Sequence, residues 1–205
     1  MNAHRALSVL LLAAAGLAAS EPPKSQPPSD KKEPQSSIEP RSAPGAGQKF
    51  LEKFVGDWMV EKVFHPRQGD PAKVTGTCRQ TMIHGGRFLQ SEFIFDGPSG
   101  KTTGTGTIGF DTDTGLFTSF WVDSRSTRIS LRRSKDKFDG KEIVLFSREL
   151  DDGRKEARQS RTVTRLEDDG RKIVHRQYSV GDAKERLVME LLMTRKSEPE
   201  KTGGR

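Results

Sequence analysis

Of the 205 residues in this chain only one is cysteine, Cys78, so no intramolecular disulfide can form and any domain it builds must be held by its core. Paired-cysteine zinc sites are excluded by the same scarcity, and no His-x-His or His-Glu-x-x-His spacing offers another metal site. Neither a Gly-x-Ser-x-Gly elbow nor a phosphate-cradling glycine loop is present. The sequence therefore nominates no catalytic residue, no metal ligand set and no cofactor motif. Long apolar runs are also missing. The longest, residues 6–19, is half alanine and glycine and falls short of the ~20 residues that a spanning helix needs, so no stable membrane span is expected. Cys78 lies far downstream of that run, which excludes a lipid-bearing cysteine just after it.

What the N-terminus does contain reads as a secretion signal. Arg5 supplies the positive start, residues 6–19 the apolar stretch, and Ala18, Ala19 and Ser20 a small-residue cleavage site. The expected mature protein is exported, periplasmic or secreted, and begins near Glu21. Residues 21–48 hold seven of the eleven prolines and Ile38 as their one large apolar side chain. Such a stretch buries too little to offset its conformational entropy, so a disordered linker is predicted there and a short polar tail over residues 198–205. The net charge is +7, and the four basic and four acidic groups of residues 21–48 cancel, so the excess lies in the folded part. A basic exported domain suits an anionic envelope component as partner. Nucleic acid is not expected, because the basic residues are interleaved with acids rather than gathered beside stacking aromatics.

Between residues 49 and 197 the punctuation is regular. Turn clusters recur at Gly69-Asp70-Pro71, Gly85-Gly86, Asp96-Gly97-Pro98, Asp139-Gly140, Asp168-Asp169-Gly170 and Gly181-Asp182. Asp111, Asp113 and Gly115 mimic the start of an EF-hand, but the closing glutamate is absent and the flanks read as strands, so a hairpin turn is predicted. The runs between turns are rich in Val, Ile, Phe and Thr and predict ten strands: 57–64, 75–84, 88–96, 102–111, 116–123, 128–134, 142–150, 158–166, 172–180 and 186–195. Period-two alternation is clearest in the last four. One short helical spacing, Phe50, Leu51 and Phe54, predicts a turn or two of helix over 48–54 as a plug. Ten hairpin-linked strands imply an all-β, antiparallel up-and-down meander, and closure into a barrel removes its exposed edges, an open sandwich being the alternative architecture.

The segments Phe54-Val55-Gly56-Asp57-Trp58, Gly85-Gly86-Arg87-Phe88-Leu89 and Gly109-Phe110-Asp111, followed by Trp121 and Asp123, resemble the bacterial domain of unknown function 1579. That resemblance spans nearly all of residues 50–194. It implies a lipocalin-like antiparallel barrel and says nothing of chemistry.

A barrel of this size is either filled by side chains or holds one small ligand. The expected ligand is small and apolar or amphipathic, touched by Trp58, Phe93, Phe95, Phe110, Trp121, His175 and Tyr178, with Met189 beside them and Arg87 near the mouth. Trp58 also suits a core position at the barrel bottom. Arg87 has two structural alternatives, an ion pair with Asp57 or with Glu92. Gly104 and Gly106 alternate on one strand, which predicts a bend, a close backbone approach or interior room. A haem-type site or a general base would have to use His84 or His175, and neither has a partner nucleophile or carboxylate that the sequence places beside it. Two alternatives therefore stay open: an envelope interaction protein without a small ligand, and an enzyme using one of these histidines. Parity groups residues by face but does not assign the inner face.

Overall fold

A computed structural model of the protein describes residues 42–148, 159–181 and 184–197. The expected signal segment, most of the linker and the tail fall outside the described residues. One helix, α1 (Ala46–Glu52), precedes ten strands: β1 (Gly56–Phe64), β2 (Ala72–Ile83), β3 (Phe88–Gly97), β4 (Gly100–Asp111), β5 (Leu116–Asp123), β6 (Ser126–Arg133), β7 (Glu142–Arg148), β8 (Gln159–Glu167), β9 (Lys172–Val180) and β10 (Glu185–Arg195). Each strand pairs antiparallel with its neighbour in sequence, and β1 pairs with β10, so the sheet closes into a ten-stranded barrel. This is the all-β, lipocalin-like meander that the alternating runs and turn clusters imply.

The turns follow from backbone chemistry. Between β2 and β3 the chain reverses with His84, Gly85 and Gly86 all at positive φ, a conformation that glycine tolerates without steric penalty. Arg87 then closes the turn, its backbone N–H donating to the Ile83 carbonyl at 3.1 Å.

The helix starts two residues earlier than the apolar spacing predicts, because Gln48 sets its start. The Gln48 Oε1 accepts from the Gly45 N–H at 2.8 Å, and its Nε2 donates to the Phe110 carbonyl at 2.7 Å. One buried side chain thus satisfies an orphan helix-start donor and ties α1 to the end of β4. Phe54 lies beyond the helix, in a turn closed by its N–H on the Leu51 carbonyl. Leu51, Phe54, Trp58 and Phe117 are almost wholly buried and seal this end of the barrel. Truncating a buried aromatic such as Trp58 to alanine costs about 3–5 kcal/mol.

Arg195, at the end of β10, fastens the plug. Its guanidinium donates to the carbonyls of Val55, Lys53 and Gly170 at 2.6, 3.0 and 3.2 Å and lies 4.3 Å over the Trp58 ring. Carbonyls left open at the end of α1 are thereby satisfied by a residue 140 positions away.

The two faces of β7 to β10 are not simply apolar inside and polar outside. Ile143, Leu145 and Ile173 are buried inward, yet Val163 and Val174, of opposite parity, are buried as well. Above that outer surface Arg165 pairs with Glu142, Arg176 with Glu190, and Arg161 with Glu185. The arginine stems shield the valines while their heads pair across strands. Between β6 and β7 the register pair among the described residues is Arg133 and Phe146.

Candidate functional site

Inside the barrel lies a cavity of about 480 Å³. Leu51 and Phe54 make its floor, so the plugging helix and the turn after it decide its depth. Phe93 and Phe95, stacked at 5.5 Å between centroids, form an aromatic wall that Trp121 meets edge-on at 5.4 Å from Phe93. Leu89, Leu145, Met189 and Met193 extend the apolar lining.

Trp121 fits because of the glycines opposite it. A Cβ at Gly104 would overlap the indole ring, and one at Gly106 would lie 3.2 Å from its Cε3. The alternating glycines of β4 therefore serve close approach: the space they leave holds Trp121, not a ligand. The indole N–H donates to Asp123 Oδ2 at 2.9 Å, which fixes the ring along the wall. Arg125 donates to the same oxygen at 2.6 Å. That contact, aided by the indole, holds the Asp123 carboxyl well below the usual carboxylate range.

The lining also carries polar groups that the protein itself does not fully satisfy. Lys62 is 94 % buried, with a relative exposure of 6 %, and its ammonium sits 4.1 Å from the Phe95 centroid and 4.9 Å from that of Phe64. Burial, then the nearby Arg125 charge, lowers its pKa to about 8. Arg132, on β6, has a buried Nε with no hydrogen-bond partner among the described residues, and burial lowers its pKa. Gln80 donates through Nε2 to Ser91 at 2.9 Å but leaves Oε1 buried and unpartnered among the described residues. His175 sits opposite Thr164 in the β8–β9 register, and the Thr164 hydroxyl lies 2.8 Å from its Nδ1. Burial, with a lesser push from Arg132, lowers the His175 pKa to about 4, so the imidazole is neutral at physiological pH.

Of the residues expected to touch a ligand, the structure brings Phe93, Phe95, Trp121, His175 and Met189 together on the cavity wall. The other four sit elsewhere. Trp58 is fully buried in the sealed end, its indole donating to the Phe54 carbonyl at 3.0 Å. Phe110 packs there too, tilted against Phe117 at 4.9 Å and lying where a side chain on Gly47 would go. Tyr178 has the parity of the outer face, where the Arg161 guanidinium stacks 4.5 Å over its ring. Arg87 is a turn cap at the barrel's edge, donating to the carbonyls of Ser42, His84 and Gly85. It takes neither Asp57 nor Glu92, because Asp57 is held by Arg79 at 3.0 Å. His84 is exposed in that same turn, edge-on to Phe88, which leaves His175 as the histidine on the cavity wall.

Sequence reasoning passed over Lys62, Gln80 and Arg132. The signal for Lys62 was parity: it follows Trp58 and Val60 at intervals of two, so the face that buries Trp58 must also take the lysine. Cys78 is buried in β2, and burial pushes its thiol pKa up, which disfavours the reactive thiolate. Among the described residues no three His, Cys, Asp or Glu side chains are grouped to hold a metal ion.

Comparison with known proteins adds a family and a fold. The family DUF1579, "Protein of unknown function", matches residues 43–195. No curated protein matches the chain. Among solved structures, the crystal structure of Rv2717c from M. tuberculosis superposes with a TM-score of 0.52 at 15 % identity, covering 76 % of this chain and all of that one. At that identity the likeness concerns the barrel alone.

Proposed function

We propose that this protein, which belongs to the DUF1579 family, is a binding protein whose barrel encloses one small apolar or amphipathic molecule. The observation that carries the reading is the cavity itself. A barrel packed solid would leave no such space, whereas about 480 Å³ lies within the range of ~300–1,000 Å³ typical of small-molecule sites. An aromatic wall with a few inward polar groups is also how such sites combine affinity with orientation.

Trp121 supplies a built-in reporter. Titration of the protein with straight-chain amphiphiles such as dodecanol should shift tryptophan emission saturably, since Trp121 lines the cavity and Trp58 is sealed from it. Trp121→Phe should silence the shift while leaving the fold intact. A flat response across a panel of amphiphiles would refute the binding role. We further read this binding as taking place outside the cytoplasm, supported by the signal-like residues 1–20; a mature N-terminus near Glu21 in protein from its own cells tests that part.

A further inference from the structure

We infer that the ligand of this cavity carries a carboxylate head group and that Arg132 holds it inside the barrel, an inference that rests on the cavity being a ligand site. The charge of the lining is unbalanced. Lys62, Arg125 and Arg132 face one carboxylate, Asp123, and Arg125 already takes it. Lys62 and Arg132 are left with no carboxylate of the lining to pair with.

Burying a cation without a partner is costly, and a chain whose only task there was packing would place an apolar side chain of similar length. Lys62 recovers part of the cost from the Phe64 and Phe95 rings. Arg132 does not: its Nε is buried and empty-handed among the described residues. A guanidinium fork matches a carboxylate in two parallel hydrogen bonds, and Nε is one of the donors such a pair uses. Near this fork His175 stays neutral and is oriented by Thr164, so it offers a hydrogen bond without competing for the anion's charge. The rest of the wall is apolar, which suits a hydrocarbon tail. Together they describe an amphipathic monoanion.

The test uses the full chain and Trp121 emission, with dodecanoate, dodecanol and acetate as probes. Wild type should bind dodecanoate about ten- to a hundredfold more tightly than dodecanol, the worth of one charge-assisted pair. Acetate, a head without a tail, should give no saturable response in the range where dodecanoate saturates. Arg132→Met should bring the two long-chain affinities close together while leaving dodecanol binding in place, and should melt no lower than wild type, because the unpaired charge is gone. Lys62→Met should keep most of the preference. Equal binding of dodecanoate and dodecanol by wild type would overturn the carboxylate assignment but not the ligand site. Binding of neither would overturn both. Preference retained in Arg132→Met, or an Arg132→Met protein that is less stable and has lost dodecanol as well, would show that Arg132 is structural and overturn its role.

Discussion

Replacing His175 with glutamine should flatten the acid limb of the stability curve. In the unfolded chain an imidazole titrates near its ordinary value of about 6.5. In the barrel, burial and then the Arg132 charge lower it to about 4. The unfolded state therefore takes up a proton that the folded state refuses, and stability falls as pH drops through that window. Above about pH 6.5 both states are neutral and His175 contributes no pH dependence; by pH 4 the loss approaches about 3 kcal/mol. For a domain of this size that is about 10 °C in melting temperature. Glutamine can still meet the Thr164 hydroxyl but cannot take the proton. Thermal melts of wild type and His175→Gln, from about pH 7 to about pH 4, isolate the effect, because the carboxylates that titrate in the same range are common to both. The wild type should lose more stability than the variant across the window. Parallel curves would show that His175 protonates as easily in the folded protein as in the unfolded chain, and would refute a half-buried, neutral imidazole.

Three further outcomes test the packing. Gly104→Ala should cost about 1–3 kcal/mol and change Trp121 emission, because the new methyl overlaps the indole; equal stability and spectrum would show that the ring is free to move aside. Arg195→Met should destabilise by about 2 kcal/mol or more, as the carbonyls of Lys53, Val55 and Gly170 lose their donor, and Arg195→Lys should not restore it, since one ammonium cannot reach all three; urea melts decide both. Cys78, 2 % exposed and with its pKa raised by burial, should resist iodoacetamide in the folded protein and react only on unfolding, which the mass of the alkylated chain reports.

The barrel was legible because its signals are local. Runs such as Leu116–Asp123 and Lys172–Val180 alternate with turn clusters that carry the glycines their backbone needs, and all ten predicted strands form. The helix register was not, because it depends on Gln48 reaching both Gly45 and Phe110, a tertiary contact. The site was half legible for a related reason. Aromatic residues announce burial, but not whether burial means a cavity wall, as for Phe93 and Trp121, or a sealed end, as for Trp58 and Phe110. Tyr178 misled because the outer face of β9 is itself partly covered, by arginine and glutamate pairs over Val163 and Val174. Arg132 was illegible: a charged strand residue ordinarily points to solvent, and only the closed barrel shows it facing in.

Native mass spectrometry of the protein purified from its own cells addresses the binding role most directly. One molecule should be retained per chain, released on unfolding and identified as an amphiphile with a single carboxylate. A chain of bare polypeptide mass, together with an unresponsive Trp121 in the presence of added amphiphiles, would contradict it.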